Sequence, residues 1–396
     1  MPVHNFFILH ASGDCVYSRN FGAGAELDLS LVTGFSSSVS TFTSYVSSRR
    51  APTQLNRGHE GSKREQGGET ISAFSVGSQQ FVYREVGAFT LVAHAPADDG
   101  EEVVRKQLQE AEALLVFFFG DSAKWKRELL GLRGVHDIVD GVFEKHSAEL
   151  SALVSGLRWV LLPPTVRDRL DRLLATLEEN DFVHGGMLVL GSSVLHSRLP
   201  QRDSKMVLHY ISSRQLGPLR LRTTPVYSEG QWKNLVLLKL RVLTLAVLVS
   251  IRVAYASVSP VLHGFEEALQ DAALQLPVEE PPVLLRHFTG HDTIAFIYRH
   301  VRNGLAIAPP PRSGPQSEKQ KTLRSFLWFF SRARDVLARS DIHELVMSRD
   351  GFRFHAQAHE SHELYVLYSD QVKAGDVDKF SREIITNAMR KIGGED

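Results

Sequence analysis

Cysteine is almost absent from this chain. Cys15 is the only cysteine among 396 residues, so an internal disulfide and a cysteine-based metal cluster are both excluded. An excess of either charge is missing too, because 45 lysines and arginines balance 45 aspartates and glutamates. Proteins that bind the phosphate backbone of nucleic acids carry an excess of positive charge. We therefore expect a cytosolic protein that does not bind nucleic acid.

The chain also has no long uninterrupted hydrophobic run. Near the start, Phe6 to Leu9 is apolar, but no basic segment precedes it and no small-residue cleavage site follows. The most apolar segment, 235–258, is interrupted by Lys239, Arg241 and Arg252. Each of these charges costs about 2.5–3.5 kcal/mol at the centre of a bilayer. We predict no signal peptide and no transmembrane helix, and expect two buried strands in this segment.

Recognisable catalytic motifs are lacking as well. The sequence contains no Gly-x-Ser-x-Gly nucleophile elbow. Gly22-Ala23-Gly24 and Gly61-Ser62-Lys63 lack the complete loop that directs successive backbone N–H groups at a phosphate. Cys15 has no neighbouring base in the sequence that would lower its thiol pKa. We predict no catalytic residue and no cofactor.

Histidines are the remaining candidates for a metal site. His355, His359 and His362 form the densest group, and three imidazoles bind zinc when they converge. No glutamate-bearing helical motif accompanies them, so we expect them on the surface. His287 and His291 stand four residues apart, but a turn-forming Thr-Gly pair separates them. We predict no metal site, and the alternative is a zinc-dependent hydrolase built on the His355 group.

What the chain does contain is a recurring order of strands and helices. Asn5 to His10 and Cys15 to Arg19 form a predicted hairpin, followed by a helix over Leu29 to Ser48, three short strands and a second helix. Similar patterns recur later, with a proline-rich linker predicted at Pro309 to Lys321. A chain of this length accommodates two to three domains. We predict an α+β fold of three tandem units, each an antiparallel sheet packed with helices, at 1–150, 151–276 and 277–396.

The predicted helix over Leu29 to Ser48 contains no charged residue. The second helix of the first unit differs, because charged and polar residues cover the side opposite its apolar stripe: Glu101, Glu102, Arg105, Lys106, Gln109 and Glu112. The cores of protein interfaces are depleted of charge. The small polar residues opposite the apolar stripe of the first helix therefore form a candidate partner interface, against the alternative of a merely polar outer face. They are Ser30, Thr33, Ser37, Ser40, Thr41, Ser44 and Ser48.

The opening segment resembles a known trafficking module. Phe6 to Asp14, followed by Val16 to Arg19, is similar to the first strands of a longin domain. Over the whole chain, the three units resemble the three-longin family that contains Fuzzy, the Mon vacuolar-fusion proteins and a Hermansky–Pudlak syndrome subunit. The resemblance implies three tandem longin-like units that act through protein surfaces, and it supplies no catalytic side chain.

Two branches of this family are possible. The segments Met206 to Tyr227, Leu243 to Leu245 and His291 to Thr293 are similar to the Fuzzy branch, which implies pairing with an Inturned-like longin protein and a WD-repeat companion in a ciliogenesis and planar polarity complex. That complex recruits a Rab-like small GTPase at the basal body. Tyr17 to Arg19, Leu161 to Pro163 and His362 to Tyr365 are similar to the Mon branch, which implies a heterodimeric nucleotide exchange factor for an endosomal Rab. Either branch would reach membranes through its complex.

Overall fold

The computed structural model describes residues 3–21, 34, 73–97, 100–122, 125, 136, 139–140, 142–143, 157–160, 162–213, 220–271, 293–301, 305–309, 316–339 and 342–393. These residues form three predominantly antiparallel sheets and six helices. The predicted α+β class with helices packed on antiparallel sheets is confirmed.

The first sheet has the strand order β2-β1-β5-β4-β3. Its strands are β1 (Asn5–His10), β2 (Cys15–Asn20), β3 (Ala73–Val76), β4 (Gln79–Val86) and β5 (Phe89–Pro96). The predicted hairpin is confirmed, because β1 and β2 pair antiparallel from Asn5 opposite Asn20 onward. Gly13 in the connecting turn has a φ of 90°, a conformation that glycine adopts without steric cost.

The second sheet has the order β8-β7-β11-β10-β9. Its strands are β7 (Val183–Leu190), β8 (Ser193–Ser197), β9 (Leu221–Ser228), β10 (Gln231–Leu240) and β11 (Leu243–Ser250). Both faces of β10 and β11 are buried, with Leu235 and Leu237 in one core and Val236 and Leu238 in another. The two strands predicted in segment 235–258 are confirmed, although they end at Ser250. Among the described residues, no helix combines the length and hydrophobicity needed to cross a membrane.

The third sheet has the order β14-β15-β16-β12-β13-β6. Its strands are β6 (Leu157–Arg158), β12 (Thr293–His300), β13 (Leu305–Ile307), β14 (Glu344–Arg349), β15 (Phe352–Ala358) and β16 (His362–Ser369). All its pairs are antiparallel except β13 with β6, which is parallel. β6 belongs by sequence to the range predicted for the second domain, yet it extends the third sheet.

Five strands of each sheet follow one plan. In every case the first two strands form one edge, the fifth strand lies beside the first, and the third strand forms the opposite edge. In the second sheet α3 (Gln201–Ser213) follows the second strand and α4 (Tyr255–Asp271) follows the fifth. In the third sheet α5 (Gln316–Arg339) and α6 (Ala374–Gly393) take these places. The boundaries at 150 and 276 remain predictions.

Helix α1 (Glu101–Phe119) follows the fifth strand of the first sheet and packs against all three parts of the molecule. Leu108 and Leu115 share a core with both the first and second sheets, whereas Val103 belongs to the core of the third. A Cβ atom on Gly100, which precedes α1, would lie 2.8 Å from Ser331 Oγ on α5. Only glycine allows so close an approach, and α1 is therefore the central packing element.

The prediction that α1 has a solvated side is confirmed only in part. Lys106, Gln107 and Glu110 are buried, because α3 and α5 cover the sides of the helix that do not face the first sheet. The Lys106 ammonium lies 5.2 Å from the Phe330 ring centroid, at a distance suited to a cation–π interaction. In the predicted polar set, only Glu101 and Gln109 are exposed.

Local sequence also sets the starts of three other helices. Helix α2 (Pro164–Glu178) has no side-chain cap, because it begins with a proline, whose missing N–H needs no cap. Helix α4 begins at Tyr255 and continues through Pro260. Residues 316–321 of the predicted linker form the first turns of α5.

Candidate interaction surface

The interface predicted from the sequence falls on residues that the structure does not describe. Ser30, Thr33, Ser37, Ser40, Thr41, Ser44 and Ser48 all lie outside the described residues. The uncharged segment was contrasted with α1, whose charged residues were expected to face water. Lys106 and Glu110 of α1 are buried, so charge on α1 does not in every case mark a face exposed to water.

Sheet edges are the other surfaces where a partner can bind, since an outer strand leaves backbone N–H and C=O groups unpaired. The segment 157–160 covers two such edges. Leu157 and Arg158 pair with β13, while Trp159 bridges β8 and the Val160 N–H donates to the Val194 carbonyl at 2.8 Å. The second and third sheets are thereby joined through one short segment. Among the strands that the structure describes, the other outermost ones are β2, β3, β9 and β14.

The outer edge of β14 carries exposed apolar side chains. Ile342, just before the strand, and Val346 within it are 47% and 46% exposed. By contrast, β9 contains Pro225, which lacks an N–H, and its Val226 is fully buried. Proline at such a position disfavours pairing with a further strand. We define the β14 edge as residues 342–349.

The backbone of β14 directs alternate residues outward. The Ala358 N–H donates to the His343 carbonyl at 2.9 Å, so His343 faces the neighbouring strand β15. In an antiparallel ladder the residues that face the partner alternate with those that face away. Glu344, Val346 and Ser348 therefore point their N–H and C=O groups away from the sheet. These outward groups alternate with the half-buried side chains of Leu345 and Met347.

Behind this edge lies a network of polar side chains shared by β14, β15 and α6. His355 is buried, with Nε2 2.9 Å from Glu344 Oε1 and Nδ1 2.6 Å from Ser381 Oγ. The Tyr368 hydroxyl lies 2.8 Å from the same Ser381 oxygen. Ligand atoms of Glu344, His355 and Asp378 all lie within 4.8 Å of one another. Two carboxylates and one imidazole thus converge at the β14 edge.

Burial lowers the pKa of His355, although Glu344 and Asp378 act to raise it. The imidazole is therefore neutral near pH 7. Since a carboxylate only accepts hydrogen bonds, Nε2 donates to Glu344, and Nδ1 accepts from the Ser381 hydroxyl. The Tyr368 hydroxyl then donates to the Ser381 oxygen, which gives each member of the network a partner.

This network resembles a serine–histidine–carboxylate arrangement only in composition. Ser381 is 1% exposed, and its oxygen already contacts both His355 and Tyr368. A nucleophilic serine needs access to a substrate carbonyl and nearby oxyanion donors. Cys15 is also a poor nucleophile, because burial raises the pKa of its thiol and so disfavours the reactive thiolate.

The expectation for the histidine group is partly wrong. His355 and His362 are buried, and only His359 is exposed. The three do not converge on a metal, because four residues along a strand separate His355 from His359 by about 13 Å. The residues that approach His355 are Glu344 and Asp378 instead. His287, His291 and the glycine segments at 22–24 and 61–63 lie outside the described residues.

Comparison with known proteins adds little to this geometry. No protein-family model and no curated protein matches the sequence. Among solved structures, the crystal structure of a Roadblock/LC7 domain from Streptomyces avermitilis is similar to part of the chain, with 13% identity and a TM-score of 0.18. The match covers 25% of this chain and 83% of that one. A TM-score of this size is too low to establish a shared fold, so the architecture rests on strand order alone.

Proposed function

We propose that this chain is a non-catalytic scaffold of three longin-like units, which binds other proteins through exposed sheet edges and helical surfaces. The observation that carries the proposal is the strand plan shared by the three sheets. Such repetition accords with the sequence resemblance to a three-longin family. Fold alone does not determine function, so identification of the binding partner is what decides between the candidate functions.

Within that family, the Fuzzy branch is the proposed relative. The chain would then pair with an Inturned-like longin protein and a WD-repeat companion, and recruit a Rab-like small GTPase during cilium assembly. It would act in the cytoplasm and at the ciliary basal body, controlling vesicle and intraflagellar transport. The second candidate is a Mon-type subunit of a heterodimeric guanine nucleotide exchange factor, acting on an endosomal Rab in vacuole fusion. Similarity of 17–19 and 362–365 to the Mon branch favours it.

Affinity purification of the full chain from its own cells, with mass spectrometry of the copurified proteins, tests this function. An Inturned-like protein together with WD-repeat proteins would support the ciliary scaffold. A Mon-type partner with an endosomal Rab would support the exchange factor instead, and nucleotide release from that Rab would then be measured with the purified pair. Recovery of the chain as a monomer without a stoichiometric partner under mild salt would contradict both.

The β14 edge offers a specific mode of binding. A partner strand can extend a sheet by pairing with outward backbone groups, and alternate side chains then provide specificity. We expect Val346→Lys to lower the yield of the copurified partner by about tenfold or more while leaving the thermal unfolding midpoint unchanged. Val346 is half exposed, so lysine is tolerated in the free protein, whereas a partner strand would bury its charge.

Two further variants locate the interface. Val242→Lys places the same charge at an equally exposed valine in the turn after β10 and should leave partner yield unchanged. Ser40→Arg tests the uncharged segment predicted from the sequence. Loss of the partner with Ser40→Arg but not with Val346→Lys would move the interface from the β14 edge to that segment.

A further inference from the structure

We propose that Glu344, His355 and Asp378 bind a single zinc ion, which connects the edge strand β14 to helix α6 across β15. This inference goes beyond partner binding and does not depend on it. The three ligands come from three different elements, so the ion would fix a strand that lies at the edge of the described part of the third sheet.

The ligand set suits zinc in both type and spacing. The three ligand atoms lie within 4.8 Å of one another, and Glu344 Oε1 is 2.9 Å from His355 Nε2. Ligands placed about 2.0–2.2 Å from a tetrahedral zinc ion stand about 3.4 Å apart. Because Asp378 is exposed, its side chain can complete this geometry without rearrangement of the core. One imidazole with two carboxylates favours zinc over calcium, which takes six to eight oxygen ligands.

The surroundings of His355 are those of a metal-bound histidine. Histidine ligands usually donate their second ring N–H to an oxygen that fixes the ring orientation. Ser381 Oγ, 2.6 Å from Nδ1, supplies that oxygen and is itself in contact with the Tyr368 hydroxyl. When zinc occupies Nε2, the ring proton moves to Nδ1 and is donated to Ser381 Oγ, which has two lone pairs and therefore accepts from the Tyr368 hydroxyl as well.

The charge of the site and its exposure to solvent also favour binding of a divalent cation. Two carboxylates face a neutral, buried imidazole, so a divalent cation balances the charge that they bring together. Glu344 has 46% of its side chain exposed, and Asp378 is exposed as well, which leaves a path for the ion and room for water as a fourth ligand. The other close histidines differ, since His359 contacts Gln357 at 2.7 Å and His362 stacks on Tyr298.

The test is titration of the metal-free full chain with zinc chloride in competition with a chromophoric chelator. We expect one tightly bound ion per chain and a rise in the thermal unfolding midpoint on zinc addition, because a ligand that binds only the folded state stabilises it. Asp378→Asn and Glu344→Gln should each weaken zinc binding by more than about tenfold, and abolish the rise in the unfolding midpoint. Both positions are exposed, so these variants should fold.

Two matched variants separate this site from zinc held by other surface groups. Glu383→Gln removes one carboxylate from the exposed side of α6, and His359→Gln removes the exposed histidine that follows β15. Both should bind zinc as the unmodified chain does. The proposal is overturned by the absence of stoichiometric binding in the unmodified chain. It is equally overturned if His359→Gln loses the ion while Asp378→Asn and Glu344→Gln retain it.

Discussion

Glu110→Leu is expected to lower the free energy of unfolding by about 3–5 kcal/mol, the range for removing one partner of a buried ion pair. Glu110 lies on α1 and is buried. Its Oε1 accepts a hydrogen bond from Lys205 Nζ on α3, and its Oε2 lies 3.5 Å from His209 Nε2. Removal of the carboxylate leaves the Lys205 ammonium, only 14% exposed, without its counter-charge between the first and second sheets.

The double variant Glu110→Leu/Lys205→Met separates charge compensation from packing. Replacement of both charges by apolar side chains of similar size is often neutral, so we expect it to recover most of the loss. As a control, Glu101→Leu breaks an exposed pair with Arg105 on the same helix and should cost about 1 kcal/mol or less. Urea unfolding measures all four proteins. An equal loss in the single and double variants would show that the cost comes from packing and not from the unpaired ammonium.

The strands and their order along the chain were largely predictable, because local patterns determine them. The run from Leu235 to Leu240 and its continuation after Arg241 are apolar on both faces, as in a strand buried from two sides. The alternative, a membrane-spanning helix, was excluded because three charged residues near its centre would each add a large insertion cost. The helical period likewise identified α1, since Val104, Leu108 and Leu115 share one face.

Burial of polar groups was not predictable from the same patterns. The sequence of α1 predicts a solvated polar side, yet the partners of Glu110 lie on α3, and Lys205 is 95 positions further along the chain. His355 was expected at the surface for the same reason, because Ser381 approaches it only after α6 folds back on the sheet. Polar residues are usually exposed, and the exceptions depend on contacts that no local pattern records.

The β14 edge could not be identified from the sequence, because it depends on the order of the strands within the sheet. β14, β15 and β16 follow one another in sequence and pair in that order. Pairing of β16 with β12 covers the β16 side of this group, so β14 is the strand left at the edge. Similarly, a segment as short as Leu157–Arg158 carries no recognisable strand pattern, although it covers the edge of β13. Edges are set by pairing between residues far apart in the chain.

Acidification from pH 7 to pH 4 should destabilise the protein partly through His94. Burial, reinforced by the charge of His4, lowers the pKa of His94 from 6.5 to about 4. Its Nδ1 accepts a hydrogen bond from the Asn5 amide at 3.1 Å, which protonation would abolish. Between pH 6.5 and pH 4 the unfolded chain binds a proton on this residue and the folded chain does not. His94 therefore contributes stability that is fully present above pH 6.5 and is lost as the pH falls toward 4, by about 2–3 kcal/mol.

The measurement is urea unfolding at a series of pH values. Titration of carboxylates also changes the free energy of unfolding over this range, but it does so equally in the unmodified chain and in its variants. His94→Gln cannot take up the proton, so its stability should fall less steeply between pH 6.5 and pH 4, even if glutamine lowers stability at pH 7. His263→Gln, which replaces a histidine with 70% of its side chain exposed, should keep the full slope. If His94→Gln keeps it as well, His94 takes up its proton in the folded protein at its ordinary pKa, and burial does not lower that pKa. The comparison of slopes thus tests the assigned hydrogen bond between β1 and β5 together with the direction of the pKa shift.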